Sequence, residues 1–156
     1  MIARNSIFVP IAKFRLLSWR DRVLLANALV WLAGARAAIL VLPFKTVAQM
    51  ASRSVVRPAP LGPGREACVE RVRWAITVLA RRVPWRAKCY EQGIAAFFML
   101  RRRGVPAELY YGAANIEGEG LCAHVWVRDG DAYVVCGEIA HQFAVLAKFP
   151  SSAADE

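Results

Sequence analysis

Several chemistries are missing from this 156-residue chain. No C-x-x-C occurs, Cys122-x-His124 is too tight for the common structural zinc spacings, and the H-x-E plus P-C-x-x-C deaminase signature is absent, so neither a metal nor any other cofactor is expected. There is no Walker A loop and no G-x-G-x-x-G, the usual glycine-rich cradles for phosphates. Zinc-finger, helix-turn-helix and RNP-type signatures are also lacking, and no nucleic-acid partner is expected despite the basic charge. The uncharged run near the N-terminus, Val23 to Ala35, stops at Arg36. A membrane span needs ~20 mostly apolar residues, so this reads as a helix buried in protein or lying on a membrane surface, and peripheral membrane contact stays open. A basic n-region, apolar h-region and small-residue cleavage site do not follow one another at the start, so the expected location is cytoplasmic. There Cys68, Cys89, Cys122 and Cys136 read as thiols. No internal repeat or low-complexity tract is visible.

What is present fits about one domain with a real core, since 57% of the residues are hydrophobic. The net charge of +9 is concentrated in Arg65–Arg86 and Arg101–Arg103, a surface suited to an acidic peptide, an acidic protein or anionic lipid. Ser18-Trp19-Arg20-Asp21 reads as a capping box opening a helix through Leu32, with a break at Gly34. A second helical stretch, Ala35 to Ala51, should be kinked or divided by Pro43. Together they suggest a helical hairpin that either completes a core or docks a partner. Val56 to Gly64, with three prolines, is a linker. Glu66 to Arg82 follows as an amphipathic helix ended by Pro84, with Trp74 and Trp85 as core or lid residues. The chain therefore divides into an N-terminal helical region 1–56, a linker 57–64, a core 65–150 and a tail 151–156 expected to be disordered.

The chemistry centres on Cys89. Apolar residues recur at helical spacing from Tyr90 to Leu100. Arg101–Arg103 complement the negative end of that helix, Gly104 suits a left-handed cap, and Pro106 prevents continuation. A cysteine in the first turn meets free backbone N–H groups and the positive dipole end, which favour its thiolate and can also bind an oxyanion. Gly93 and Ala96 lie below it on one face, where small side chains let another backbone approach. The alternative is a buried structural cysteine. Downstream, Ala107 to Ala113 reads as a strand and Asn115 to Gly120 as a Gly-rich loop. Cys122 to Arg128 alternates as a second strand, Asp129-Gly130 is a turn, and Ala132 to Cys136 returns. His124 shares a face with Cys122 and Trp126. A general base needs a third group to orient it. Asp129 and Asp131 lie ~16 Å along the strand at ~3.3 Å per residue and read as turn formers. Glu138 is the preferred orienter if even positions pair with even; an odd register would place Val135 opposite His124 and turn Glu138 away.

The run from Cys89 to Ala107 (Cys-Tyr-Glu-Gln-Gly-Ile-Ala-Ala-Phe-Phe-Met-Leu-Arg-Arg-Arg-Gly-Val-Pro-Ala), then Tyr111-Gly112, Ala123-His-Val-Trp-Val and Phe143–Pro150, resembles the lasso-peptide B protein, over about residue 18 to Pro150. The resemblance implies an α+β fold, a transglutaminase-like (papain-like) core of helix plus antiparallel sheet preceded by the N-terminal helical hairpin. It implies a cysteine endopeptidase that cuts the leader from a ribosomally made precursor before a cyclase closes the macrolactam. Cys89 carries over as nucleophile and His124 as base. The family's acid falls a dozen or so residues after the histidine. Here Cys136 stands twelve after it and Glu138 fourteen, so Glu138 is a substitute acid, or the site is a Cys-His dyad. A separate small recognition protein for the leader is also implied, with the N-terminal helices and the basic surface as candidate docking sites. The other readings are an acyl transferase that passes the acyl group to an amine, and a non-catalytic precursor-binding module.

Overall fold

The computed structural model describes residues 17–53 and 63–150. Residues 1–16, the expected tail 151–156 and all of the expected linker except Pro63 and Gly64 lie outside the described residues. The fold is α+β: the described residues form four α-helices, α1 (Trp19–Val41), α2 (Phe44–Ser52), α3 (Pro63–Ala80) and α4 (Cys89–Arg101), and a four-stranded antiparallel sheet. The strands are β1 (Glu108–Ile116), β2 (Gly120–Asp129), β3 (Ala132–Val135) and β4 (Ala144–Phe149), in the order β3-β2-β1-β4.

Ser18 caps α1 as its sequence demands, its Oγ accepting the Asp21 N–H at 3.2 Å. The expected break at Gly34 does not occur. An isolated glycine costs a helix roughly 1 kcal/mol, less than α1 gains by burying Leu24, Leu25, Ala28, Leu32 and Ala35 along one stripe against α3 and α4. The chain turns instead at Leu42, which is extended (φ −102°, ψ 141°) ahead of Pro43, where a helical conformation would clash with the proline ring. Arg36 does not interrupt α1 either, because its guanidinium lies 2.9 Å from the buried Glu91 carboxylate. By length and composition α1 is thus long and apolar enough to cross a membrane, with a mean hydropathy of 1.9 and 28% of its most apolar window buried within the protein.

The apolar residues of α4 surround its axis, and such a helix must be buried on all sides. Ile94, Ala95, Ala96, Phe97, Met99 and Leu100 are buried between α1, α3 and the sheet. Proline at the first position of α3 suits a helix start, and Val72, Ala75 and Ile76 turn inward. Alternation along β2 divides its side chains between two faces. Val125 and Val127 join the main core, whereas Trp126 packs with Ala140 and Phe143 in a smaller cluster. The expected turn forms at Gly130, whose φ of 58° favours glycine.

Candidate active site

Cys89 is the first residue of α4, and the loop entering it is tied down from two directions. Glu91 Oε2 accepts the Lys88 N–H at 3.0 Å, and Gln92 Nε2 donates to the Ala87 carbonyl at 2.8 Å. Only half of a capping box exists, because the Lys88 ammonium has no lone pair with which to accept. Glu91 is 3% exposed and holds Arg36 with its other oxygen, so the start of α4 is anchored to α1.

The Cys89 sulfur is half-buried and faces the backbone N–H groups of Val125, Tyr90 and Cys89 itself. These donors favour the thiolate, as expected for a helix start. Burial outweighs them, with Glu91 adding repulsion, and the thiol is held above its ordinary range. The resting group is therefore a thiol that needs a base to ionise. The Val125 donor reaches it because Gly93 admits β2: a Cβ on Gly93 would sit 2.6 Å from Val125 Cγ1.

His124 neighbours Val125 in the chain and turns to the opposite face of the sheet, where it lies against Trp126 (5.8 Å between centroids) and Phe143 (4.9 Å). It is 7% exposed, and its Nε2 is 2.7 Å from the Cys136 carbonyl oxygen. A carbonyl only accepts, so in the neutral ring Nε2 carries the proton and Nδ1 keeps the free lone pair. Among the described residues no hydrogen bond joins the Cys89 and His124 side chains; what brings the two residues together is the β2 backbone between them.

The third group arrives by a route that strand pairing did not suggest. Val127 pairs with Val135 after a bulge, and continuing that ladder would match 124 with 138, the even-with-even register. The strand stops at Val135, however, and Cys136 takes a left-handed conformation (φ 59°), the one such non-glycine residue among those described. That turn aims the Cys136 carbonyl at His124. Glu138 lies beyond it, in the wall of the same cleft of about 760 Å³, with His124, Gln92, Cys136 and α3's Arg73 and Trp74. Among the described residues the Glu138 carboxylate makes no side-chain hydrogen bond or ion pair. Burial, then the charges of Cys89 and Glu138, push the Cys136 thiol up to about 12. Its sulfur donates to Gln92 Oε1 at 3.9 Å. Gln92, three residues after Cys89 on the same helix and thus a spatial neighbour, escaped notice in the sequence although that spacing could have flagged it. Asp129 pairs with Arg65 and Asp131 with Arg128 (3.3 Å), which leaves them as turn residues.

A cysteine opening a buried helix, beside a sheet strand that carries a histidine with a fixed tautomer, has the parts for thiol acyl transfer. Residues 29–148 match the family model described as the Transglutaminase-like superfamily, and the chain belongs to that superfamily. Its members are typically cysteine peptidases or transferases. No curated protein and no solved structure matches the chain.

Proposed function

We propose that the protein is a cysteine peptidase that removes the leader from a ribosomally synthesised lasso-peptide precursor, with Cys89 as nucleophile and His124 as general base. The observation that carries the chemistry is the His124 Nε2 contact with the Cys136 carbonyl, which leaves Nδ1 as the basic nitrogen one residue from the strand N–H that faces the Cys89 sulfur. In this reading Nδ1 takes the Cys89 proton as the sulfur attacks the scissile carbonyl, and backbone N–H groups at the start of α4 stabilise the oxyanion. The imidazolium then protonates the leaving amine. His124 next deprotonates a water that hydrolyses the thioester, releasing the leader acid and restoring the thiol. The Cys136 carbonyl orients the ring, and the Glu138 carboxylate shares the cleft with it.

The lasso assignment is supported by the residue runs at Cys89–Ala107, Ala123–Val127 and Phe143–Pro150. It brings with it a separate small leader-recognition protein, a cyclase downstream and a cytoplasmic setting. The +9 charge suits an acidic leader or partner, and that attraction weakens as salt rises. The superfamily's transferases supply the second reading, in which an amine in the His124 cleft takes the acyl group in place of water.

Mass spectrometry of a precursor incubated with the recognition protein and wild-type, Cys89→Ala, His124→Ala or Glu138→Gln enzyme tests the proposal. Cleavage at one bond that vanishes in the first two variants supports the peptidase. An amide adduct formed with an added amine favours the transferase, and identical behaviour of all four proteins leaves a binding module.

A further inference from the structure

Two hollows are lined by close neighbours of Cys89 on α4, one by Tyr90 and the other by Gln92, and they differ in chemistry. At 100° per residue, Tyr90 and Gln92 fall on opposite sides of Cys89 around α4. Gln92 and His124 line the large cleft, which carries charged residues from α3. Tyr90 and Val125 line a second cavity of about 260 Å³, and among the described residues none that lines it is charged. Its outer wall comes from Leu42 at the end of α1 and from Val47 and Ala48 of α2, and Tyr111 of β1 lies beside Val125 on its floor. The Tyr90 hydroxyl hydrogen-bonds Tyr111, so its polar demand is met within the wall. The volume is several times the roughly 30 Å³ of a liquid water, room for one large side chain.

The chemistry assigns a direction to these hollows. His124 has to protonate the leaving amine, so the segment bearing that amine occupies the His124 cleft. The acyl segment then runs past Tyr90 and Val125. We infer that the cavity is the specificity pocket for an aliphatic or aromatic side chain on the acyl side of the scissile bond, and that the two N-terminal helices serve the site as its outer wall. This rests on Cys89 being the nucleophile.

The test uses acyl-capped dipeptidyl vinyl sulfones carrying Leu, Phe, Gly or Asp at either position before the warhead, with labelling of Cys89 followed by peptide-mapping mass spectrometry. At one of the two positions, Leu or Phe should label the wild-type protein roughly 10- to 100-fold faster than Asp, the size expected for burying one apolar side chain. Ala48→Phe fills the cavity and should reduce that ratio to within about threefold. Leu42→Ala, at a half-exposed position, widens the cavity and should move the preference from Leu towards Phe, a result that stands even if Ala48→Phe fails to fold. Iodoacetamide, which has no side chain to place, separates the two ideas on the wild-type protein. Preferential alkylation of Cys89 with no discrimination among the peptidyl probes overturns the pocket alone. Failure of iodoacetamide and of every probe to label Cys89 overturns the nucleophile and the pocket together.

Discussion

The first turn of α4 and the end of β3 each bring a cysteine to the neighbourhood of His124, and the backbone makes them opposites. Cys89 is surrounded by three N–H donors that resist the effect of burial on its thiol. Among the described residues no such donor acts on Cys136, and burial, then repulsion from Cys89 and Glu138 in their ionised forms, drives its thiol up to about 12. The first sulfur is set to ionise when a base takes its proton. The second stays neutral, and its residue contributes through the carbonyl that a left-handed turn points at His124. The lesson is that a residue's conformation can decide whether its side chain or its main chain takes part in a site.

The sharpest way to break this contrast is to remove each sulfur in turn. Cys89→Ala should reduce precursor cleavage by at least ~10³-fold, whereas Cys136→Ala, which keeps the carbonyl, should stay within about threefold of wild type; equal losses in both would end the comparison. His124→Ala should cost ~10²- to 10⁴-fold in kcat, the usual range for a general base. Gly137→Ala reaches the carbonyl through the backbone and leaves both cysteines and His124 in the chain. Its Cβ would lie 2.4 Å from Tyr133 Cγ, so the segment carrying Cys136 has to shift. A loss of ~10- to 100-fold in kcat is expected from the misplaced ring, with about 1–3 kcal/mol of stability read by urea denaturation. Glu138→Gln should lower kcat less than about tenfold, because the ring is oriented by a carbonyl that the variant retains.

The smallest effect is on stability at high pH. Both thiols titrate higher in the folded protein than in the unfolded chain, so above the unfolded value of roughly 8.5 the unfolded state holds fewer protons and is favoured. Stability should therefore be complete below that pH and fall as pH rises towards about 12. Cys136→Ala should flatten the slope measured by urea denaturation between pH 8 and 10.5.

Local patterns in the chain carried α4 to within a residue of its ends, the turn at Gly130, the Ser18 cap and the division at Pro43. Each depends on neighbours in sequence: periodicity, a preferred φ or a missing N–H. The prediction at Gly34 failed because a local penalty of roughly 1 kcal/mol was weighed without the packing that outweighs it, which only α3 and α4 provide. The return strand β3 was placed to within one residue, but the turn that follows it was not foreseen. Cys136 carries no local signal for a left-handed conformation, and the bulge that sets the register arises between paired strands.

Residue order by itself determined which groups this protein has to work with: a cysteine at a helix start, a glycine below it that admits a strand, and a histidine on that strand. Those depend on helical and strand periodicity, which a single segment expresses alone. Tertiary structure decided which groups meet. It set a main-chain carbonyl on His124, turned Glu138 into the cleft wall, raised both thiols by burial, and brought the ends of two N-terminal helices over a cavity beside Tyr90. Solvation and long-range contact are properties of the assembled chain, so no local pattern encodes them.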